Sequence, residues 1–387
     1  MIPTPALPPF LIPGTRMAVR SLAQHREERW WYSAGATSGV DDFVRASVGR
    51  RWPLYALAAR WQRATRSATG ADWSEPIARL LAKHALPAHD VLAQIGTPGH
   101  YRKHVAVLLD ARGERVGVLK CSHAPASCGS IRAESAALGA MHGHLPGLVP
   151  RALGIEEAGD HVISLQTPVH GERCGPWSAD HGAFCAAVFV QPSPAGCARD
   201  WNEALEPRER IRTRLAEAGA NGPAQACARL FERVASAADQ RLPLGWSHRD
   251  FVPSNVWRSG DALAVIDWEW ADPSWTPGID VIHFHLMPAL RRGQSPTAAA
   301  RQLCASGSPL EATCRALGIN ADPWTLIACY LYDLILFYAD ANGEGLASAG
   351  RHPLIAAACA LAADVPSPRS PPARAALSAS AVHTLGE

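Results

Sequence analysis

Residues 246–270 read WSHRDFVPSNVWRSGDALAVIDWEW. A His-Arg-Asp triplet ends at Asp250, Asn255 lies five residues beyond it, and a second aspartate, Asp267, opens an Asp-Trp-Glu triplet. Between them, NVWR and ALAVID are β-type runs on either side of Ser259-Gly260-Asp261, a pattern that predicts a short hairpin. The Pro-containing turn between Asp250 and Asn255 lets both side chains face one point, and the hairpin brings Asp267 back beside Asn255. Two oxygen ligands from Asn and Asp suit Mg²⁺, which keeps waters and phosphate oxygens in the rest of its shell. Asp250 is then free to accept a proton from an attacking hydroxyl or to orient it. A metal that offsets charge and a carboxylate that places a nucleophile are what phosphoryl transfer needs.

His248-Arg249-Asp250-Phe251-Val252-Pro253-Ser254-Asn255 followed by Ile266-Asp267-Trp268-Glu269 resembles the aminoglycoside phosphotransferase and choline kinase-like family of small-molecule kinases. The two motifs in this order, with a hairpin-length gap, are specific. H-x-D-x-x-x-x-N also matches the protein-kinase catalytic loop, but a protein kinase continues with D-F-G and an activation segment ending in A-P-E. Here D-W-E runs through ADPSWTPGIDVIHF into a helix, with Asp280 just before the apolar residues. The resemblance covers about residues 90–360. It implies an α+β, two-lobed protein kinase-like fold with a small antiparallel-sheet N-lobe and a mostly helical C-lobe. It also implies ATP and Mg²⁺ as cofactors, Asp250 and His248 as catalytic residues, Asn255 and Asp267 as metal ligands, and Asp280 as a structural acid near the catalytic loop.

The same resemblance asks for a phosphate-covering loop, a strand lysine and a helix glutamate upstream. QIGTPGHYRKHVAVLL places Gly96, Thr97 and Gly99 in a turn between strand-like runs, where backbone N–H groups can cover phosphates. The loop is poorer in Gly than the family's usual form, and Pro98 brings no N–H. Lys120 closes the apolar run RVGVLK and would be costly to bury unpaired. Its expected partner is Glu134, with the nucleotide α- and β-phosphates as further contacts. HVISLQTPVHGE resembles the strand and hinge between the lobes. Pro168 cannot donate, which leaves the Thr167 carbonyl and the Val169 N–H to meet adenine.

Four segments are expected along the 387 residues: an N-terminal extension over 1–88, partly helical; a nucleotide-binding lobe over 89–170; a helical catalytic and acceptor lobe over 171–364; and a disordered tail over 365–387. The extension opens Pro-rich, and PLYALAARWQRATRS then carries Leu54, Leu57, Ala58 and Trp61 at helical spacing. HVAVLLD and RVGVLKC form a hairpin through Arg112-Gly113. SIRAESAALGAMHGH is predicted to be a helix capped by Ser130.

A net charge of +2 argues against a dominant electrostatic role on nucleic acid or an anionic membrane. Basic residues are almost all arginine; the lysines are Lys83, Lys103 and Lys120. The ten cysteines form no C-x-x-C pair and are expected as free, mostly buried thiols in a reducing cytosol. His142–His144 and His283–His285 lack companion ligands and read as packing or surface histidines. The N-terminus lacks the basic region of a secretory signal, and Leu326–Phe337 is too short to span a bilayer. A cytoplasmic location follows.

The acceptor is a small-molecule hydroxyl. The acids after Asp280 (Asp322, Asp333, Asp340, Glu344) are balanced by Arg291, Arg292, Arg301 and Arg315, which disfavours a polycationic aminoglycoside. Trp270, Trp275, Trp324, Tyr330 and Tyr332 offer either an aromatic cage or core packing, and the tryptophans of DWEWADPSW suit stacking on a sugar. A sugar, aminosugar or amino alcohol leads, with an aminoglycoside still open, ahead of a catalytically silent nucleotide-binding regulator and a peptide-directed kinase.

Overall fold

A computed structural model describes residues 18–24, 27–33, 66–67, 74–96, 101–292, 295–341 and 345–367. The first lobe is one antiparallel sheet flanked by two helices. Its elements are β1 (Ala18–Gln24), β2 (Glu27–Ser33), β3 (Arg66–Ser67), α1 (Ser74–Lys83), β4 (Asp90–Ile95), β5 (His104–Leu109), β6 (Arg115–Ser122), α2 (Pro125–His142), β7 (Ala152–Ala158) and β8 (His161–Gln166). The strand order is β3-β1-β2-β4-β5-β6-β8-β7. Strands from the expected extension therefore continue the sheet, with β2 pairing to β4. Of the stretch expected as a helix over 53–67, Arg66 and Ser67 pair with β1 as a strand, and the remainder lies outside the described residues.

Strand alternation decides which side chains face the site. Leu119 and Cys121 of β6 pack with Ala106 and Leu108 of β5 and with Ile163 and Leu165 of β8. Ile77, Leu80 and Leu81 of α1 close that core at helical spacing. Lys120 therefore emerges on the opposite face, paired in register with Val105 and Ser164. On that face α2 packs through Cys128 and Ile131 against Val162. Helix α2 begins earlier than its sequence suggests. Pro125 takes a first-turn position after Ala124, and Ser130, expected as the cap, sits inside the helix with its hydroxyl donated to the Ser127 carbonyl. Proline's preset φ suits it to a helix start, which explains the shift.

The second lobe comprises β9 (Glu172–Arg173), α3 (Ala179–Phe189), α4 (Trp201–Glu217), α5 (Asn221–Asp239), β10 (Gly245–Ser247), β11 (Val256–Ser259), β12 (Ala262–Val265), β13 (Asp272–Trp275), α6 (Ile279–Arg292), α7 (Pro296–Leu303), α8 (Pro309–Ala316), α9 (Pro323–Asp340), a 3-10 turn over Leu346–Arg351, and α10 (Pro353–Asp364). Helices α7, α8 and α9 each start with a capping Ser or Asp followed by Pro: Ser295, Ser308 and Asp322 accept from backbone N–H groups of the first turn. The apolar stretch Leu326–Phe337 is the middle of α9, which packs on α5 in the main core. Arg233 of α5 donates to the carbonyls of Pro366 and Ser367, so the chain is held to the lobe past residue 365; residues 368–387 of the expected tail lie outside the described residues. No helix among the described residues is long and apolar enough to cross a membrane. All ten cysteines are free; six are buried and four partly so.

Gly171 lies beside the β11–β12 hairpin, where β9 pairs with β11. Its φ is +104°, and a Cβ there would sit 2.0 Å from the Arg258 carbonyl oxygen. Gly171→Ala is expected to destabilise the protein by roughly 2 kcal/mol or more. An unchanged midpoint in thermal or urea unfolding contradicts this.

Candidate active site

The quoted stretch forms one loop and one hairpin. Strand β10 delivers the chain to His248, whose N–H donates to Asp280 Oδ2 at 2.8 Å. The Arg249 N–H donates to Asp280 Oδ1, also at 2.8 Å. One buried carboxylate at the start of α6 thus holds two successive amides and a turn in which Arg249 has φ +63°. Burial pushes the Asp280 pKa up, while nearby His248 and the two N–H donors work in the other direction.

His248 is fully buried. The Asp250 N–H donates to His248 Nδ1 at 3.3 Å, so the ring proton resides on Nε2, which reaches the Ile266 carbonyl at 3.0 Å. Both ring nitrogens are engaged by backbone. His248, expected as a catalytic residue, is placed instead to position the loop against the hairpin.

Asn255 Nδ2 donates to both the backbone carbonyl and Oδ2 of Asp250, at 3.0 and 2.9 Å. The β11–β12 pairing starts at Val256↔Val265, and the Ile266 N–H donates to the Asn255 carbonyl at 3.0 Å. Asp267 is the next residue, at φ +71°, an uncommon conformation for a non-glycine residue. The hairpin therefore places Asp250, Asn255 and Asp267 along one rim. The other carboxylate oxygen of Asp250 faces His283 Nε2 at 3.4 Å. His283 and His285 do not act as a pair: His283 meets Asp250 and Tyr330, whereas His285 lies against Trp177.

From the other lobe, Lys120 Nζ donates to Glu134 Oε1 at 2.6 Å and to Asp267 Oδ1 at 2.7 Å. Glu134 Oε1 also accepts from the Trp268 N–H at 3.3 Å, tying α2 to the Asp-Trp-Glu segment. Lys103, given no role by the sequence reading, contacts the same Asp267 oxygen at 3.0 Å and Glu269 Oε1 at 2.6 Å. Its rarity was the available signal, since two of the three lysines meet at Asp267. Packing between the lobes disfavours charge on Asp267, yet the Lys103 and Lys120 ammonium groups outweigh this and hold its pKa far below the usual carboxylate range. Burial pulls both lysines down, and the surrounding carboxylates more than restore them, Asp267 foremost.

The donor set fits a magnesium ion. The Asn255 side-chain oxygen and the Asp267 carboxylate would supply two hard oxygen ligands. Asp267 Oδ2 takes part in no described hydrogen bond, and Glu269 Oε2 is buried without a partner among the described residues. Of the expected phosphate loop, the Gly96 N–H donates to the Lys103 carbonyl at 2.8 Å, whereas Thr97 and Gly99 lie outside the described residues. At the hinge, Thr167 uses its N–H and hydroxyl oxygen to pair with the Arg151 backbone. No described hydrogen bond uses its carbonyl or the Val169 N–H.

Beside Asp250 opens a cleft. Trp270, Phe337, Tyr330 and Tyr338 supply aromatic walls, and Arg249, Arg291, His283 and Asp333 supply polar ones. Asp333 is already neutralised: Arg208 Nε donates to one oxygen at 2.8 Å and Arg249 Nη2 to the other at 2.6 Å. Trp275 and Tyr332, candidates for a cage, are fully buried and belong to the core. Asp322 caps α9, and Asp340 lies at the surface beside Arg214.

A strand lysine paired to a helix glutamate, set over an H-x-D-x-x-x-x-N loop and a second aspartate, defines a two-lobed, protein kinase-like phosphotransferase. The family model described as the phosphotransferase enzyme family (APH) matches residues 77–317, more than half of the sequence, and the chain belongs to that family. It is a small-molecule phosphotransferase. No curated protein matches it by sequence. Among solved structures, it is similar to a GDP complex of wild-type aminoglycoside 2'-phosphotransferase-IIIa (12% identity, 75% of this chain and 99% of that one, TM-score 0.46). It is also similar to an aminoglycoside phosphotransferase of Streptomyces rimosus with ADP and streptomycin (17% identity, 59% and 89%, TM-score 0.43). A third is a fructosamine-3-kinase from Haemophilus somnus (11% identity, 74% and 95%, TM-score 0.45).

Asp280→Ala leaves two loop amides without their acceptor. It is expected to cost about 2–6 kcal/mol of stability, from roughly 1–3 for each orphaned group, with turnover falling as the loop relaxes. Calorimetry showing a wild-type melting temperature contradicts this.

Proposed function

We propose that this protein transfers the γ-phosphate of ATP to a hydroxyl of a small, uncharged or weakly charged polyol such as a sugar, with aminosugars and amino alcohols as near alternatives. The observation that carries the reading is the placement of Asp250. One oxygen is oriented by the Asn255 amide, the other faces His283, and the carboxylate lines an aromatic-walled cleft. Aromatic walls suit the apolar face of a sugar ring, and Arg249 and Arg291 offer donors to its hydroxyls. The same cleft is poor for a polycation, because the Asp333 charge is consumed by two arginines and Asp250 is the remaining carboxylate lining it.

In this reading Asp250 accepts a hydrogen bond from the acceptor hydroxyl, aims its oxygen at the terminal phosphorus, and takes its proton as the new bond to phosphorus forms and the bond to the β,γ-bridging oxygen breaks, with ADP as the leaving group. Lys120, fixed by Glu134, binds the α- and β-phosphates. Asn255 and Asp267 would hold Mg²⁺, which would offset charge on the transferring phosphoryl group. The Thr167 carbonyl and Val169 N–H meet adenine. Localisation in the cytoplasm agrees with free thiols and with ATP as donor.

Asp250→Asn keeps the shape and the Asn255 contact but removes the basic oxygen. Turnover is expected to fall by at least about 10³-fold with MgATP affinity nearly unchanged, read by coupled ADP release and calorimetric titration; normal turnover removes Asp250 from this role. Asp267→Ala is expected to abolish the Mg²⁺ dependence of nucleotide binding, and titrations with and without EDTA check it. An ATP-consumption screen across sugars, aminosugars, amino alcohols and aminoglycosides tests the acceptor class. Turnover confined to aminoglycosides overturns the polyol assignment.

A further inference from the structure

Lys103 stands where a passive surface lysine would not. Its carbonyl accepts from the Gly96 N–H, extending the β4–β5 ladder by one pair beyond Ile95↔His104. A Cβ on Gly96 would approach that carbonyl oxygen to 2.4 Å, so a glycine is needed for the close pairing. Strand alternation puts residue 103 on the same face as Val105, and Val105 is the register partner of Lys120. Both lysines thus project from adjacent strands towards one aspartate. Lys103 keeps only 14% of its side chain exposed, with Nζ 3.0 Å from Asp267 Oδ1 and 2.6 Å from Glu269 Oε1.

Two ammonium groups share Asp267 Oδ1, and each has a second carboxylate of its own, Glu134 for Lys120 and Glu269 for Lys103. When a divalent cation joins Asp267, a third positive centre reaches one carboxylate and like-charge repulsion rises. A triphosphate arriving with it brings oxygens that accept charge-assisted hydrogen bonds. Lys120 is locked by the fully buried Glu134. Lys103 follows directly on the phosphate-loop segment and can turn about its four-carbon stem while Glu269 remains near.

We propose that Lys103 is a second phosphate-binding lysine: its ammonium holds Asp267 and Glu269 before nucleotide arrives, then releases Asp267 and engages the terminal phosphates. This rests on the phosphotransfer reading above. The alternative is a fixed clip between the lobes that never touches nucleotide.

With three lysines in the chain, ¹³Cε-lysine labelling yields three side-chain signals, assigned by single substitution. The Lys103 signal is expected to move when a non-hydrolysable MgATP analogue is added, and to stay in place with AMP. Lys103→Met is expected to weaken the analogue about tenfold or more while changing AMP affinity less than about twofold, with Lys103→Arg restoring part of the loss. The same Met variant is expected to bind Mn²⁺ more tightly than wild type without nucleotide, read by electron paramagnetic resonance. If AMP and the analogue bind wild type but the Lys103 signal is unmoved by both, or if both weaken equally in the Met variant, the assignment is overturned while the phosphotransfer reading stands. If wild type binds neither, both fall. Should Lys103→Met fail to fold, the wild-type spectra decide alone.

Discussion

One carboxylate oxygen, Asp267 Oδ1, holds the ammonium groups of Lys103 and Lys120 from neighbouring strands of the other lobe. Burying either lysine unpaired would cost several kcal/mol, enough to prevent the strand from facing inward. Around this oxygen, three carboxylates, Glu134, Asp267 and Glu269, meet two lysines, and burial raises the Glu269 pKa. This cluster makes the relative placement of sheet, helix α2 and the catalytic hairpin a matter of matched charge rather than of apolar contact alone.

Much of the site was legible because its chemistry is local in sequence. The stretch 246–270 carries the loop, the turn and the second aspartate within one hairpin, and the short gap fixes how Asn255 and Ile266 meet. Lys120 was readable since a charge closing an apolar strand demands a partner. Lys103 was not, because it precedes its strand and sits among Tyr101, Arg102 and His104, a context that reads as solvated; only the register with Lys120 reveals its face. His248 is a related case: a motif names the residue, but only the tertiary structure shows the Ile266 and Asp250 backbone groups against its two ring nitrogens.

The helical lobe was legible in outline and obscure in its polar details. Apolar periodicity marks α9 as core, and the Ser-Pro and Asp-Pro pairs mark helix starts. Nothing in that periodicity says that Asp333, buried in α9, is bound from both sides by arginines separated from it by 125 and 84 residues. Partners so distant are set by tertiary packing. The same packing sorts the aromatics: Trp275 lies under the Arg208 guanidinium, 3.5 Å from its ring centroid, while Trp270 contacts Tyr101 and Phe337 at the cleft.

The Arg249–Asp333 pair settles what occupies the arginine next to Asp250. An arginine beside a catalytic aspartate is a ready receptor for a phosphorylated side chain, and kinases that leave it vacant can be turned on by such a modification. Here α9 fills that receptor permanently with a carboxylate from the fold itself, and Arg208 locks the same group to Asp272. The guanidinium beside Asp250 is therefore held by a carboxylate of the fold itself, with no modified side chain needed to place it.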